Sequence, residues 1–139
     1  MTSILLDTDV LLDYLLDRRD HAEWSQEVLL AAQNMKLKAF VTPVALSNLY
    51  YLLRKEASHH KVIKTIKVLL KYLHVASTGK EVVELALNSQ FTDFEDAIQN
   101  FSAIKQGDIS FILTRNLKDY RTSEILVMSP KEYSKAHLL

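Results

Sequence analysis

Ile4-Leu5-Leu6-Asp7-Thr8-Asp9-Val10-Leu11-Leu12 decides the reading of this chain. A short apolar run ends at two carboxylates one residue apart, and an amphipathic segment begins immediately after them. The pattern predicts a buried strand that delivers Asp7 to its carboxyl end, with Thr8 or Asp9 capping a helix over residues 9–16. In open α/β sheets, ligands bind outside that edge. Taken alone, the turn reads as an ordinary strand end followed by a helix cap. Carboxylates at equivalent edges further along the chain would turn it into a site.

The rest of the chain alternates short strands with helices. Asp20 and Glu23 have capping-box spacing and predict a helix to about residue 34, with Trp24, Val28, Leu29 and Ala32 on its buried side. A strand over Lys38–Val41 follows. Thr42-Pro43 pairs a capping hydroxyl with an N1 proline and opens a helix over 43–57. Ser58 caps another, over 59–72. Residues 73–76 read as a brief strand. Thr78 with Glu81, and Thr92 with Glu95, repeat the capping-box spacing and open helices over 79–88 and 93–106, the second stopped by Gly107. Ile109–Leu113 is the clearest buried strand and 125–128 a further one. Ser129-Pro130-Lys131-Glu132 starts a last helix. This alternation predicts a three-layer α/β/α sandwich around a mainly parallel sheet of four or five strands, one domain over residues 1–139.

Composition narrows the classes. With 139 residues, 48% of them hydrophobic, the chain can bury a substantial core, and two glycines with two prolines leave little room for linkers. The absence of cysteine excludes disulfides, thiolate metal sites and cysteine nucleophiles. Neither a secretory leader nor a membrane-length apolar run is present, so a soluble cytoplasmic protein with no membrane partner is expected. Seventeen basic residues balance seventeen acidic ones. That is no footprint of a domain that coats nucleic acid, although an enzyme touching a few phosphates fits it.

Acidic or amide side chains recur at strand ends and helix starts: Asp7 with Asp9, Asn48, Asp93 with Asp96, and Asn116 with Asp119. If the sheet order gathers these edges, they share one cleft. Two carboxylates about 4 Å apart repel by roughly 4 kcal/mol at an effective dielectric near 20. Such a cluster needs a shared proton or a cation, and all-oxygen ligands suit Mg²⁺ or Mn²⁺ rather than zinc.

Three stretches carry a family resemblance. Leu5-Leu6-Asp7-Thr8-Asp9-Val10-Leu11-Leu12-Asp13 resembles the opening motif of PIN domains. Phe94-Glu95-Asp96-Ala97-Ile98-Gln99 and Thr114-Arg115-Asn116-Leu117-Lys118-Asp119-Tyr120 resemble the third and fourth motifs of a bacterial subgroup of that family. The order and spacing match over nearly the whole chain. The resemblance implies a three-layer fold and a Mg²⁺- or Mn²⁺-dependent ribonuclease, as the toxin of a toxin–antitoxin pair, with an RNA substrate, a small antitoxin partner and a homodimer. It makes Asp7 the first metal ligand and Asp96 the third-motif carboxylate. Asn116 and Asp119 fall at the fourth-motif position, so the implied catalytic set is Asp7, Asp96 and Asp119. Asp9 stands where the family often has Asn. Asn48 stands where many members carry Glu, a departure that removes a carboxylate.

Each residue also has a plainer reading. Asp93 is a helix-start anion favoured by the dipole, and Glu95 a capping partner. Asp119 equally pairs with Arg115 or Lys118, Asn48 equally hydrogen-bonds across the cleft, and Thr114 is a structural hydroxyl. Arg115 and Lys118 are well placed to meet a phosphate. Lys61, Lys64, Lys67 and Lys71 form a solvated stripe, and the adjacent His59 and His60 point apart on a helix. Three classes stay open: a metal-dependent ribonuclease, a catalytically weak PIN fold that binds RNA or protein, and an Asp-x-Asp phosphatase-like hydrolase with Asp7 as nucleophile and Asp9 as acid.

Overall fold

The computed structural model describes residues 1–139. Its strands are β1 (Ser3–Leu6), β2 (Lys38–Val41), β3 (Leu73–Val75), β4 (Ile109–Leu113) and β5 (Leu126–Met128). Its helices are α1 (Thr8–Leu15), α2 (Ala22–Gln33), α3 (Pro43–Leu53), α4 (His59–Leu69), α5 (Lys80–Leu87), α6 (Phe94–Gln106) and α7 (Pro130–Tyr133). A 3₁₀ turn spans Leu117–Tyr120, and a π-helical turn, Ser134–Leu138, closes the chain. All five strands are parallel, in the order β3-β2-β1-β4-β5.

Strand alternation sorts the core into two faces. Ile4 and Leu6 of β1 pack with Val10, Leu11, Val28 and Leu49 on the side of α1, α2 and α3. Leu5 faces the other way, into a cluster with Phe40, Ala103, Ile112 and Tyr120 beneath α6. Because side chains alternate with a period of two, Asp7 falls on the same face as Leu5, towards α6. The sheet is covered on both faces, as parallel strands require.

The order also fixes where the cleft opens. After β1 the chain moves through β2 to β3 on one side, then returns to β4 and β5 on the other. The connections leaving β1 and β4 therefore diverge, and a crevice forms outside their carboxyl ends. The β1–β4 register steps by one residue: Ser3 pairs with Ile109, whereas Ile4 pairs with Phe111 and Leu6 with Leu113. Ser110 is the extra residue. The ladder then continues through the Asp7 N–H to the Leu113 carbonyl at 3.0 Å, which brings Thr114 level with Asp7.

Several helix starts differ from the sequence expectation. Asp7 itself caps α1, its carboxylate accepting the Thr8 N–H, so neither Thr8 nor Asp9 is the cap. The Asp20–Glu23 box does not form: Asp20 adopts φ 70°, and α2 starts after His21, which makes no side-chain cap bond. The Thr78–Glu81 box fails because the Thr78 hydroxyl bonds Ser102, and α5 starts after Gly79. The cap of α6 is Asp93, not Thr92; it accepts the Asp96 N–H at 2.9 Å. Thr42, Ser58 and the Ser129–Glu132 box cap as read. Helices α3 and α4 stop at Leu53 and Leu69, short of the expected 57 and 72, because the chain must turn into the Ser58 cap and into β3. No helix is long and apolar enough to cross a membrane.

Candidate active site

Asp7 sits at the centre of the crevice, 6% exposed, with both oxygens engaged. Oδ1 accepts from the Thr8 N–H at 2.7 Å and from Gln99 Nε2 at 2.8 Å. Oδ2 accepts from Thr114 Oγ1 at 2.8 Å, with the Tyr120 hydroxyl 3.4 Å away. Each donor arrives by a different route. Thr8 opens α1, Gln99 lies one turn beyond Asp96 on α6, Thr114 ends β4, and Tyr120 closes the 3₁₀ turn. A carboxylate fixed from four segments has little orientational freedom.

The Tyr120 hydroxyl is a junction. It lies 3.2 Å from Asp96 Oδ1 and accepts from Gln99 Nε2 at 3.1 Å. It carries one proton for two carboxylates. Burial, and then the charges of Asp7 and Asp96, push its ionisation far above the ordinary phenol value, so the proton stays on. Gln99 is fully buried, and its carbonyl oxygen lies 3.4 Å from the Thr42 hydroxyl.

Around this centre the cleft encloses a cavity of about 240 Å³. Asp7, Asp9, Asp93, Glu95, Asp96 and Asp119 line it, six carboxylates with Asn48 and Asn116 and no basic side chain. The concentration of charge is visible in their proton affinities. Asp96 is pushed up to about 7, mainly by burial and then by Asp7 and Asp93, against the Tyr120 hydrogen bond. Asp9 is pushed up to about 6 by burial and then by Asp7, partly offset by the Arg115 backbone N–H. Glu95 is raised as well, by burial and then by Asp7.

The site residues named from sequence fall into three groups. Asp7, Asp9, Asn48, Asp93, Asp96, Asn116 and Asp119 all line the cleft, and Thr114 is bonded to Asp7. Asp9 Oδ2 accepts the Arg115 N–H at 3.0 Å, with Asn116 Nδ2 at 3.4 Å, so Asp9 clamps the loop after β4. Arg115 and Lys118 do not line the cleft with their side chains. Arg115 turns to Asp13, to which its Nη2 donates at 3.0 Å, and Lys118 borders a separate small cavity beside Asp119.

Four residues were missed as participants. Glu95 is no capping partner: at the second position of α6 it points into the cleft, where Asn48 Nδ2 donates to its two oxygens at 3.1 and 3.3 Å. Gln99 and Tyr120 hold Asp7. Asp13, fully buried, pairs with Arg115 and with Arg18 at 3.3 Å, tying the loop after β4 to α1. Two of them carried a sequence signal. Asp13 is a charge within the apolar face of α1, and Gln99 is a polar residue three positions after Asp96 on a packed helix; buried polar groups of that kind need partners.

As they stand, no three His, Asp or Glu side chains are grouped tightly enough to hold a metal ion. The chemistry of the donors nevertheless suits a hard divalent cation. The donors are all oxygen, the proton affinities of Asp9 and Asp96 are raised first by burial and then by the Asp7 charge, and Asp9 Oδ1 is buried without any hydrogen-bond partner. On Asp7, Oδ1 accepts two short bonds, whereas Oδ2 accepts one short and one long bond, so Oδ2 has more capacity for a cation.

An acidic crevice lies at the switch point of a parallel α/β sheet covered on both faces. The family model described as "PIN domain" matches residues 3–118, and the chain belongs to the PIN domain family. Solved structures share the fold at low identity. VapBC2 from Rickettsia felis, bound to a DNA fragment from its promoter, aligns with a TM-score of 0.69 at 13% identity over 92% of this chain and 98% of that one. VapBC-1 from nontypeable Haemophilus influenzae gives 0.68 at 12%, over 94% and 99%. VapC20 from Mycobacterium tuberculosis, described as a sarcin-ricin loop cleaving toxin, gives 0.61 at 14%, over 78% and 86%. No curated protein matches the sequence.

Proposed function

We propose that this protein is a divalent-metal-dependent endoribonuclease, the toxin of a toxin–antitoxin pair held in check by a small antitoxin. The observation that carries this reading is the clamped Asp7 carboxylate at the floor of a cleft with six carboxylates and no internal cation. Membership of the PIN family, and the similarity of fold to VapBC assemblies and to a toxin described as cleaving the sarcin-ricin loop, support the same reading.

Asp7, Asp9 and Asp96 would hold Mg²⁺ or Mn²⁺, with Asn116 and Asp119 at the rim. When bound, such an ion supplies a water of lowered pKa and offsets charge on phosphate oxygens. The chain's own residues supply the rest. Gln99 and Thr114 keep Asp7 in one orientation. Tyr120, bonded to Asp96 Oδ1, fixes that carboxylate so that its Oδ2 faces the cleft. Asn48 holds Glu95 at the cleft wall. A phosphatase-like role, with Asp7 as nucleophile and Asp9 as acid, draws less support, because Asp9 Oδ2 is engaged by the Arg115 N–H in clamping the loop after β4.

The second reading, a weak or inactive PIN fold that binds RNA or protein, draws on two observations: the carboxylates are not grouped as a metal set, and the second-motif position is an amide. Incubating the partner-free protein with RNA in Mg²⁺ or Mn²⁺, beside Asp7→Asn and Asp96→Asn, separates the two. Metal-dependent cleavage lost in both variants is the expected result. Full cleavage in both would sink the site assignment, and none in the unmodified protein would favour the binding reading.

A further inference from the structure

A cavity of about 390 Å³, larger than the cleft, lies between α1, α2 and the start of α7, behind Arg115. Asp13, Trp24, Ser25, Arg115, Ser129 and Lys131 are among its walls. We propose that it receives a nucleotide of the RNA strand next to the one in the cleft, the base against Trp24 and the phosphate against Lys131 and Lys135. This rests on the ribonuclease reading.

Three observations carry the proposal. First, the cavity carries basic side chains where the cleft has none: Arg115 and Lys131 stand in its walls against Asp13 and Asp20, and Lys135 adjoins it at Trp24. Asp13 is matched by Arg115 and Arg18, and Lys131 and Lys135 stand beside Trp24, leaving Asp20 as the remaining acid of the lining. A polyanion engaging a cleft of six carboxylates in a chain of zero net charge needs a positive surface beside it. Second, the lysines are held loosely. Their Nζ atoms lie 5.9 and 5.8 Å from the Trp24 ring centre, the outer limit of cation–π contact. A base stacking on the indole displaces them, and the freed ammonium groups then reach its phosphate. Third, the Ser25 hydroxyl is fully buried and makes no hydrogen bond, an unmet donor and acceptor in the cavity wall.

Arg115 links the two chambers. Its backbone N–H bonds Asp9 in the cleft, while its guanidinium, fixed on Asp13, forms part of the cavity wall. A strand passing over this residue runs from one into the other.

Trp24 is the only tryptophan, so its emission reports on this cavity alone. The test titrates the full chain in EDTA with a twelve-nucleotide single-stranded RNA, following Trp24 emission and, separately, affinity by calorimetry. The expected result is a saturable change in emission, with Lys131→Glu weakening affinity about tenfold and lowering the salt slope by roughly 0.7 per lost phosphate contact. Lys131 is exposed, and Lys135→Glu serves as the second variant. RNA binding with unchanged Trp24 emission, and with both variants binding like the unmodified chain, overturns the proposal while leaving metal-dependent cleavage to stand. Equal binding of hexaglutamate at the same cavity also overturns it, in favour of an acidic protein segment. A Trp24 response in a partner-free protein that cleaves no RNA supports the cavity and removes the nuclease reading.

Discussion

Gln99 Nε2 lies 2.8 Å from Asp7 Oδ1 and 3.1 Å from the Tyr120 hydroxyl, so a single buried amide orients both the central carboxylate and the phenol that joins it to Asp96. Replacing Gln99 by Leu removes both donations and leaves Asp7 with an unsatisfied buried oxygen valence. The expected cost is about 1–3 kcal/mol of stability, read by urea unfolding, together with at least a tenfold fall in cleavage. Gln99→Glu places a second acid against Asp7. It should recover part of its activity at lower pH, where Gln99→Leu recovers none. Equal pH profiles for the two variants would show that the amide only fills space.

Asp13 anchors the loop after β4 without touching the cleft. Asp13→Ala strands Arg115 and Arg18, but both are partly solvated, with side chains 32% and 40% exposed, so the expected loss is about 2–3 kcal/mol rather than the larger figure for a fully buried pair. Arg18→Ala, removing one 3.3 Å contact at the surface, should cost less than about 1 kcal/mol. Similar thermal unfolding of the two variants would contradict this division of roles.

The pH dependence has a defined sign. The Asp96 carboxyl rises from its ordinary 3.8 to about 7 on folding, so between those values the folded chain binds more protons than the unfolded one. Stability therefore falls as pH rises through that window. The metal-free protein should melt at a higher temperature at pH 5 than at pH 8, and Asp96→Asn should flatten the difference. Mn²⁺ should raise the melting temperature more at pH 8 than at pH 5. A variant whose pH profile matches the unmodified chain would refute the assignment.

Asn48 donates to both oxygens of Glu95. Asn48→Asp converts that contact into a like-charge pair that repels by at most roughly 4 kcal/mol at an effective dielectric near 20. The variant should melt several degrees lower in EDTA and regain most of the loss in Mn²⁺, because a seventh carboxylate then faces the cleft. Calorimetry with and without the ion checks both halves; a loss that Mn²⁺ leaves untouched would show that position 48 does not face a bound cation.

The strands and the principal carboxylates were legible because their signals are local. An apolar run such as Ile109–Leu113 admits few readings, and Asp7 ends β1 wherever the other strands lie. What escaped depends on partners distant in sequence. The Gln99–Asp7 bond spans 92 positions and exists because α6 covers that face of the sheet; the Thr114–Asp7 bond spans 107 and exists because β4 lies beside β1. Capping boxes misled for a similar reason. The Thr78 spacing was right, but Ser102 on α6 took the hydroxyl, and Glu95 was drawn away by Asn48. Spacing identifies a residue able to cap; tertiary competition decides whether it does.

The extra residue at Ser110 sets how the chain tolerates changes of length. Everything from Phe111 onward is phased to β1, so one residue inserted or deleted between there and Thr114 would bring Leu113 or Arg115 level with Asp7 in place of the Thr114 hydroxyl. Upstream of the step, at the far end of the sheet, the same change can be taken up by moving or erasing the bulge. The two ends of one five-residue strand thus face opposite evolutionary rules: drift in length is open at Ile109 and closed at Leu113.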